Sequence, residues 1–467
     1  MEFSYAYTYP YSYSYSDSDP LYPYSYSYPE PHLPDLQANE LSSNLLELQH
    51  LNYLDLSGNN FSYSKIPNFF GSMKNLKYLN LSQANFGGLI SLQFANLTSL
   101  QVLDLNGLFH VSIPTFQWAT NLLSLQYLDM NDVNCRNASD LMQVLTKLPS
   151  LSHISLSYCR LNMVNFPWRT INSTFSASVR YLDPSDNHLE RSILNDLKNM
   201  TSLEVLDLSS TFYTSSSIPT WLGDFQSLVY LNLRLNNYDS FEGEGGLLYI
   251  INNACSLKLL DLSYNKIREV LEPHQHSRKC VKYNLEILSL EHNEMGSPFP
   301  DWSEQLKFSR YLGLSQNLFH GPIPSSLGKI SFLKVLDLSV NQLIGSIPES
   351  LGRLSSLRRI DLSHNGLTGI IPKTIGRMSV LECLALSYNN LNGVIPETLG
   401  KLSVLKRLDL SYNNLNEVIP KTLGKLSVLK WLYLSHNNLN GVIPEILGKL
   451  SVLKWLDFSS NNLTGSF

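Results

Sequence analysis

The 467-residue chain contains no run of 18 or more apolar residues, so it holds no segment long enough to cross a membrane as a helix. It lacks the short motifs of common chemistries: no His-Glu-x-x-His, no Gly-x-x-x-x-Gly-Lys-Ser/Thr and no Gly-x-Ser-x-Gly. Charge of one sign is scarce. A formal net charge of −5 builds no basic field for nucleic acid or an anionic membrane surface. Cysteine is sparse and odd in number, five in all. Two groupings come nearest to a site. Gly243-Glu244-Gly245-Gly246 lacks the strand and helix that a nucleotide loop needs. His274, His276, Cys280 and Cys255 carry zinc-type ligand atoms at a spacing that fits no zinc pattern, and read as a polar loop in a long repeat. No enzyme, metal or cofactor is expected.

What the chain has is a repeat. From Leu54 onward the pattern L-x-x-L-x-L-x-x-N-x-L returns about every 24 residues. The slot three residues after each Leu-x-Leu falls at 59, 84, 108, 133, 159, 187, 211, 236, 265, 293, 317, 341, 365, 389, 413, 437 and 461. Twelve of these seventeen slots are Asn. This predicts an α/β solenoid of leucine-rich repeats, about 17 turns of ~24 residues, with a parallel β-sheet on the concave face of a curved superhelix. Leu-x-Leu is a short strand whose Leu residues point inward; in Leu408-Asp409-Leu410, Asp409 faces out. An Asn amide donates and accepts, so it satisfies backbone groups where the chain turns into the core. The expected ladder in the regular part is Asn265, Asn293, Asn317, Asn341, Asn365, Asn389, Asn413, Asn437 and Asn461. The exceptions, Ala84, Leu108, Val133, Cys159 and Thr211, all lie in the first half, which is expected to be less regular. The repeats divide into an irregular stretch to about residue 285 and regular 24-residue repeats over 286–467.

A second motif, Gly-x-Ile-Pro, follows the slot at Gly321–Pro324, Gly345–Pro348, Gly369–Pro372, Gly393–Pro396 and Gly441–Pro444; in one copy Glu417 replaces the Gly. Gly permits a positive φ, Ile fills the core and Pro fixes φ where no donor is needed. This motif resembles the plant-specific class of leucine-rich repeats, which implies a second short strand per turn. The stretches Asn134-Cys135-Arg136-Asn137-Ala138-Ser139-Asp140, Leu148-Pro149-Ser150-Leu151, Leu156-Ser157-Tyr158-Cys159 and Asn253-Ala254-Cys255-Ser256-Leu257 resemble one family in particular. They look like plant leucine-rich-repeat receptor-like proteins of the disease-resistance type: an ectodomain, one membrane span and no kinase. The resemblance implies the extracellular face of the plasma membrane, a protein, peptide or glycan ligand, and a co-receptor kinase as signalling partner. The alternative is a secreted inhibitor of microbial wall-degrading enzymes, which shares the repeat class but has about ten repeats. A non-functional gene fragment is a third reading.

Residues 1–35 are different material, a Tyr/Ser/Pro-rich segment expected to be disordered, with no apolar stretch of a secretory signal; the repeat domain is set at 36–467. The family's signal peptide and cysteine cap are missing, and the chain stops inside a repeat, so a product truncated at both ends is expected. Seven sequons, at Asn60, Asn80, Asn96, Asn137, Asn172, Asn199 and Asn462, are candidate glycosylation sites, in a number that chance alone yields. Cys159 fills a slot and is read as core, Cys383 sits on an outward strand face, and Cys255 and Cys280 precede adjacent strands and are able to pair across turns. Cys135 has no assignment, since connectivity is not readable from sequence.

Chemistry being absent, the concave face carries the functional expectation. Its outward columns hold Arg359, Arg407, Trp431 and Trp455 before the strand Leu, Tyr433 within the strand, and Tyr388, Tyr412 and His436 beside the slot. Exposed aromatics and Arg are enriched at binding hot spots. These eight residues are the candidate ligand contacts. Lys401, Lys425 and Lys449 share one repeat position and read as a solvated stripe.

Overall fold

A computed structural model describes residues 41–162, 173–189, 193–211, 216–268 and 280–465. The Tyr/Ser/Pro-rich segment 1–35, His274, His276 and Asn172 lie outside the described residues.

Each Leu-x-Leu becomes a three-residue strand, and successive strands pair in parallel from Tyr53–Asp55 to Trp455–Asp457 in one 17-stranded sheet. Register is kept turn after turn: Tyr53 faces Tyr78, Arg407 faces Trp431, and Trp431 faces Trp455. The central Leu of the strand is inside and the two flanking residues lie on the concave side. Leu residues from all turns join in one core running from Leu54 to Leu450. In the regular half the segment after each slot forms a second parallel sheet of seven strands, from His320–Pro322 to Asn462–Leu463. Short 3-10 helices then return the chain, among them Ser325–Lys329, Glu349–Arg353 and Glu397–Lys401. A Pro stands at the N-cap of each, its fixed φ ending the second strand. These helices pack closely. A Cβ on Gly328 would lie 2.3 Å from the Ser350 carbonyl oxygen of the next turn, so only Gly fits there.

The Asn side chains bind turns together. Asn413 donates to its own turn at Leu410 O (3.2 Å) and Ser411 O (3.1 Å), and to the preceding turn at Leu386 O (2.9 Å). Its carboxamide oxygen accepts the Leu391 N–H of the preceding turn at 3.0 Å. The same pattern recurs at Asn317, Asn341, Asn365, Asn389, Asn437 and Asn461, and with small variations at Asn265 and Asn293. At three of the five slots that are not Asn, the backbone substitutes. Phe61 N–H bonds to Ala84 O (3.1 Å), Cys135 N–H to Cys159 O (2.9 Å) and Leu189 N–H to Thr211 O (2.7 Å).

The residue just before every slot has a positive φ, from Gly58 to Ser460, and most of these residues are not Gly. This column is the pivot that swings the chain from strand to slot. In the irregular half, longer turns carry the α-helices Leu141–Leu145, Ser173–Ser178 and Gly246–Asn253; the last follows the strand Tyr238–Glu242, so the Gly243–Gly246 loop has the flanking strand and helix that the sequence reading denied it. A disulfide joins Cys255, just past the last helix, to Cys280 of the following turn.

Candidate functional site

The eight candidate contacts share the C-terminal concave face. Arg359, Arg407, Trp431 and Trp455 form one column with Cys383 between the arginines, and Tyr433 pairs in register with Asp409 and Asp457. Arg407 lies over the Tyr433 ring, 5.0 Å from its centroid, and Tyr433 lies 6.3 Å from Trp455. Lys430 sits 5.7 Å from the Trp431 centroid. Trp455 is 58% exposed and Trp431 half-buried. Beside this column, His364, Tyr388, Tyr412 and His436 stack face to face at 4.1, 4.1 and 3.9 Å. The pivot geometry explains the stack: one fixed backbone conformation repeated at the strand spacing stands each ring parallel to the next. His364 belongs to this ladder although the sequence reading left it out of the contact set; its signal was the ring residue recurring one before the slot.

The arginines are not bare cations. Arg359 pairs with Asp361 at 3.3 Å and Arg407 with Asp409 at 3.0 Å, each within its own strand. Asp409 faces the concave side as the alternation predicts, but it is only 7% exposed, paired with Arg407. Its carboxylate also accepts the Ser411 N–H and hydroxyl. The Cys383 thiol between the arginines is pushed up to about 11 by burial.

The middle of the face has its own character. Tyr127, His153 and Tyr181 stack at 4.1 and 3.8 Å, continuing into the apolar cluster of Val205, Tyr230 and Leu259. Beside them burial raises the carboxyl pKa of Asp104 to about 6 and of Asp129 to about 7, and raises those of Asp183 and Asp207. Burial lowers His153 to about 3. Farther along, burial raises Glu291 to about 7 and Asp337 to about 6.

Among the sequons, Asn96, Asn137, Asn199 and Asn462 are exposed. Asn60 is half-buried, its oxygen accepting from Ser62 and Asn85. Asn80 is half-buried on the concave sheet, its oxygen accepting the Ser82 N–H at 2.8 Å. Among the described residues no group of three or more His, Cys, Asp or Glu is placed to hold a metal, and no helix is long and apolar enough to cross a membrane. Cys255 and Cys280 bond to each other.

The leucine rich repeat family matches residues 50–73, 332–354, 356–415, 379–439 and 403–463. Receptor-like protein EIX1 of Solanum lycopersicum is 36% identical over 231 residues, 49% of this chain and 19% of that protein. Receptor-like protein EIX2 of the same species is 32% identical over 265 residues, 55% of this chain and 25% of that protein. The chain is a leucine-rich repeat protein similar to plant receptor-like proteins. The matched part spans about a fifth to a quarter of those relatives' length. The fold is that of solved plant receptor ectodomains. The GASSHO1/SCHENGEN3 receptor kinase ectodomain of Arabidopsis thaliana, solved with CASPARIAN STRIP INTEGRITY FACTOR 2, matches with TM-score 0.61 at 27% identity, covering 92% of this chain and 55% of that one. The Arabidopsis HAESA ectodomain, solved with a peptide hormone, matches with TM-score 0.64 at 25% identity, covering 88% of this chain and 74% of that one.

Proposed function

We propose that this leucine-rich repeat protein is a non-catalytic recognition module, part of a plant cell-surface receptor ectodomain that binds a peptide, glycan or protein ligand and signals through a partner kinase. The observation that carries the reading is the C-terminal concave face, where Arg407, Trp431, Tyr433 and Trp455 stand side by side on adjacent strands. A rigid parallel sheet holds these side chains at the strand spacing of about 4.8 Å, so binding orders little of the protein. Two features weigh on the ligand. The in-strand Asp partners of both arginines make them half-neutralised anchors, better suited to stacking and hydrogen bonding than to holding a lone carboxylate. A glycan on Asn80, within the concave strand Tyr78–Asn80, would shield the N-terminal part of the face, and the strands from Arg359 to Asp457 carry no sequon. The similar HAESA ectodomain, solved with a peptide hormone, supports a peptide ligand as the first to test.

The test is the double substitution Trp431→Ala and Trp455→Ala in a full-length receptor, with ligand binding and surface level read together. Truncating two hot-spot rings is expected to weaken binding by roughly 2–4 kcal/mol, about 30- to 1000-fold in Kd, at normal surface level. Normal surface level with unchanged binding would move the site to the irregular stretch 237–256 or to repeats outside this chain.

A further inference from the structure

Cys135 and Cys159 lie in the fourth and fifth turns, 24 residues apart, and both are fully buried. Cys159 occupies a slot. Cys135 stands two residues after the preceding slot, the place from which regular turns offer an N–H to the slot's Asn, as Leu391 does to Asn413. Cys159 has no carboxamide oxygen, and the Cys135 N–H goes instead to its backbone carbonyl at 2.9 Å. That contact fixes how far apart the two residues can be. Standard backbone lengths on either side of it cap the Cα–Cα separation at about 6.8 Å, inside the range of about 4.4–6.8 Å that a disulfide spans. The two side chains also neighbour each other: burial and the adjacent Cys135 thiol raise the Cys159 pKa, and the Cys159 thiol donates to the Met130 carbonyl at 3.0 Å. The chain already holds one cross-turn bond of nearly this span, Cys255–Cys280, separated by 25 residues.

We propose that Cys135 and Cys159 form a second cross-turn disulfide, tying the fourth turn to the fifth. The reaction is thiol–disulfide exchange with a small-molecule or protein disulfide as oxidant. One cysteine attacks the oxidant's S–S bond, forming a mixed disulfide and releasing one oxidant thiol. The second cysteine then displaces the other oxidant thiol and closes the Cys135–Cys159 bond. Both cysteine protons end on the two released thiols, and two cysteines are oxidised as one disulfide is reduced. Because both sulfurs are buried, the exchange takes place while the turn is open, and the closed core then shields the bond. Cys383 is left as the remaining thiol, its thiolate disfavoured by burial.

The experiment exposes the full chain to excess glutathione disulfide in moderate urea, dilutes it to native conditions, then denatures, alkylates and digests it without reductant for peptide mapping. The expected map shows a peptide joining Cys135 to Cys159, one joining Cys255 to Cys280, and Cys383 alone outside any protein disulfide, alkylated or glutathione-capped. In Cys135→Ser, the cysteines outside any protein disulfide, alkylated or glutathione-capped, should rise from one to two, Cys159 and Cys383, with Cys255–Cys280 intact. Alkylation of both Cys135 and Cys159 in the unsubstituted chain overturns the proposal. So does a glutathione cap on either residue of that chain, a bond from either to a different cysteine, or an unchanged number of cysteines outside protein disulfides in Cys135→Ser.

Discussion

A left-handed residue precedes every slot, and its cost depends on which side chain stands there. Gly accepts the conformation freely, Asn and Asp tolerate it, and a β-branched residue is the worst choice. Val340 sits at φ 52° and is 44% exposed, so no core packing repays its strain. Val340→Asn is expected to stabilise the chain by about 1 kcal/mol, seen as a higher midpoint in urea with an unchanged slope. No gain in midpoint would mean that the turn imposes no strain on this residue. The slot itself gives the opposite test. Asn413 makes four hydrogen bonds, whereas the Thr211 hydroxyl bonds to Leu208 O at 2.8 Å and approaches Asn236 Oδ1 at 3.3 Å. Asn413→Ala leaves buried backbone groups unpaired and should cost roughly 1–3 kcal/mol, more than Thr211→Ala. Equal losses in denaturant melts would show that the carboxamide is not what secures the turn.

On the strand, the Asp that follows the inward Leu has two duties that oppose each other. Its carboxylate caps the turn, as Asp129 does by accepting the Asn131 N–H at 3.0 Å. Neighbouring strands then bury it without a cation, and burial holds its pKa near 7. The sign follows from proton binding. Between the unfolded value of about 4 and the folded value, the folded chain binds the extra proton, so this contribution is greatest at acid pH and lost as pH rises through about 7. His153, lowered to about 3, acts the other way below its ordinary value of about 6.5, so whole-protein pH curves mix the two. Substitution separates them. Asn already serves in this column, Asn80 capping Ser82 and Asn232 capping Arg234. Asp129→Asn should therefore raise the melting temperature at pH 8, by on the order of 1–3 kcal/mol of stability, and leave pH 4 nearly unchanged. Equal shifts at both pH values would mean that titration of Asp129 is not the cause.

Across the whole molecule, repeat number, strand positions, the shared sheet and its inward Leu residues were legible because one short pattern dictates them in every turn. The gaps in legibility have a common origin. The His364–Tyr388–Tyr412–His436 stack and the burial of Asp129 arise between turns, from side chains 24 or more residues apart. A consensus describes one turn and is silent on what its neighbour lays over it. The pairing of Cys255 with Cys280 was open for the same reason: it depends on how a long turn stacks on the next.

The one-way reach of the Asn side chains has a mechanical consequence. The Asn413 side chain clasps its own turn and the turn before it. In the regular half these side chains thus form a row of separate clasps from turn to turn. Pulled by its two ends, the regular half should yield turn by turn, not in one break. Each release frees a 24-residue repeat and lengthens the tether by roughly 80 Å at full extension. In an optical trap Asn413→Ala should move one step to lower force and leave the others in place. Stacked this way, the concave face behaves under tension as a graded spring, its curvature opening one clasp at a time.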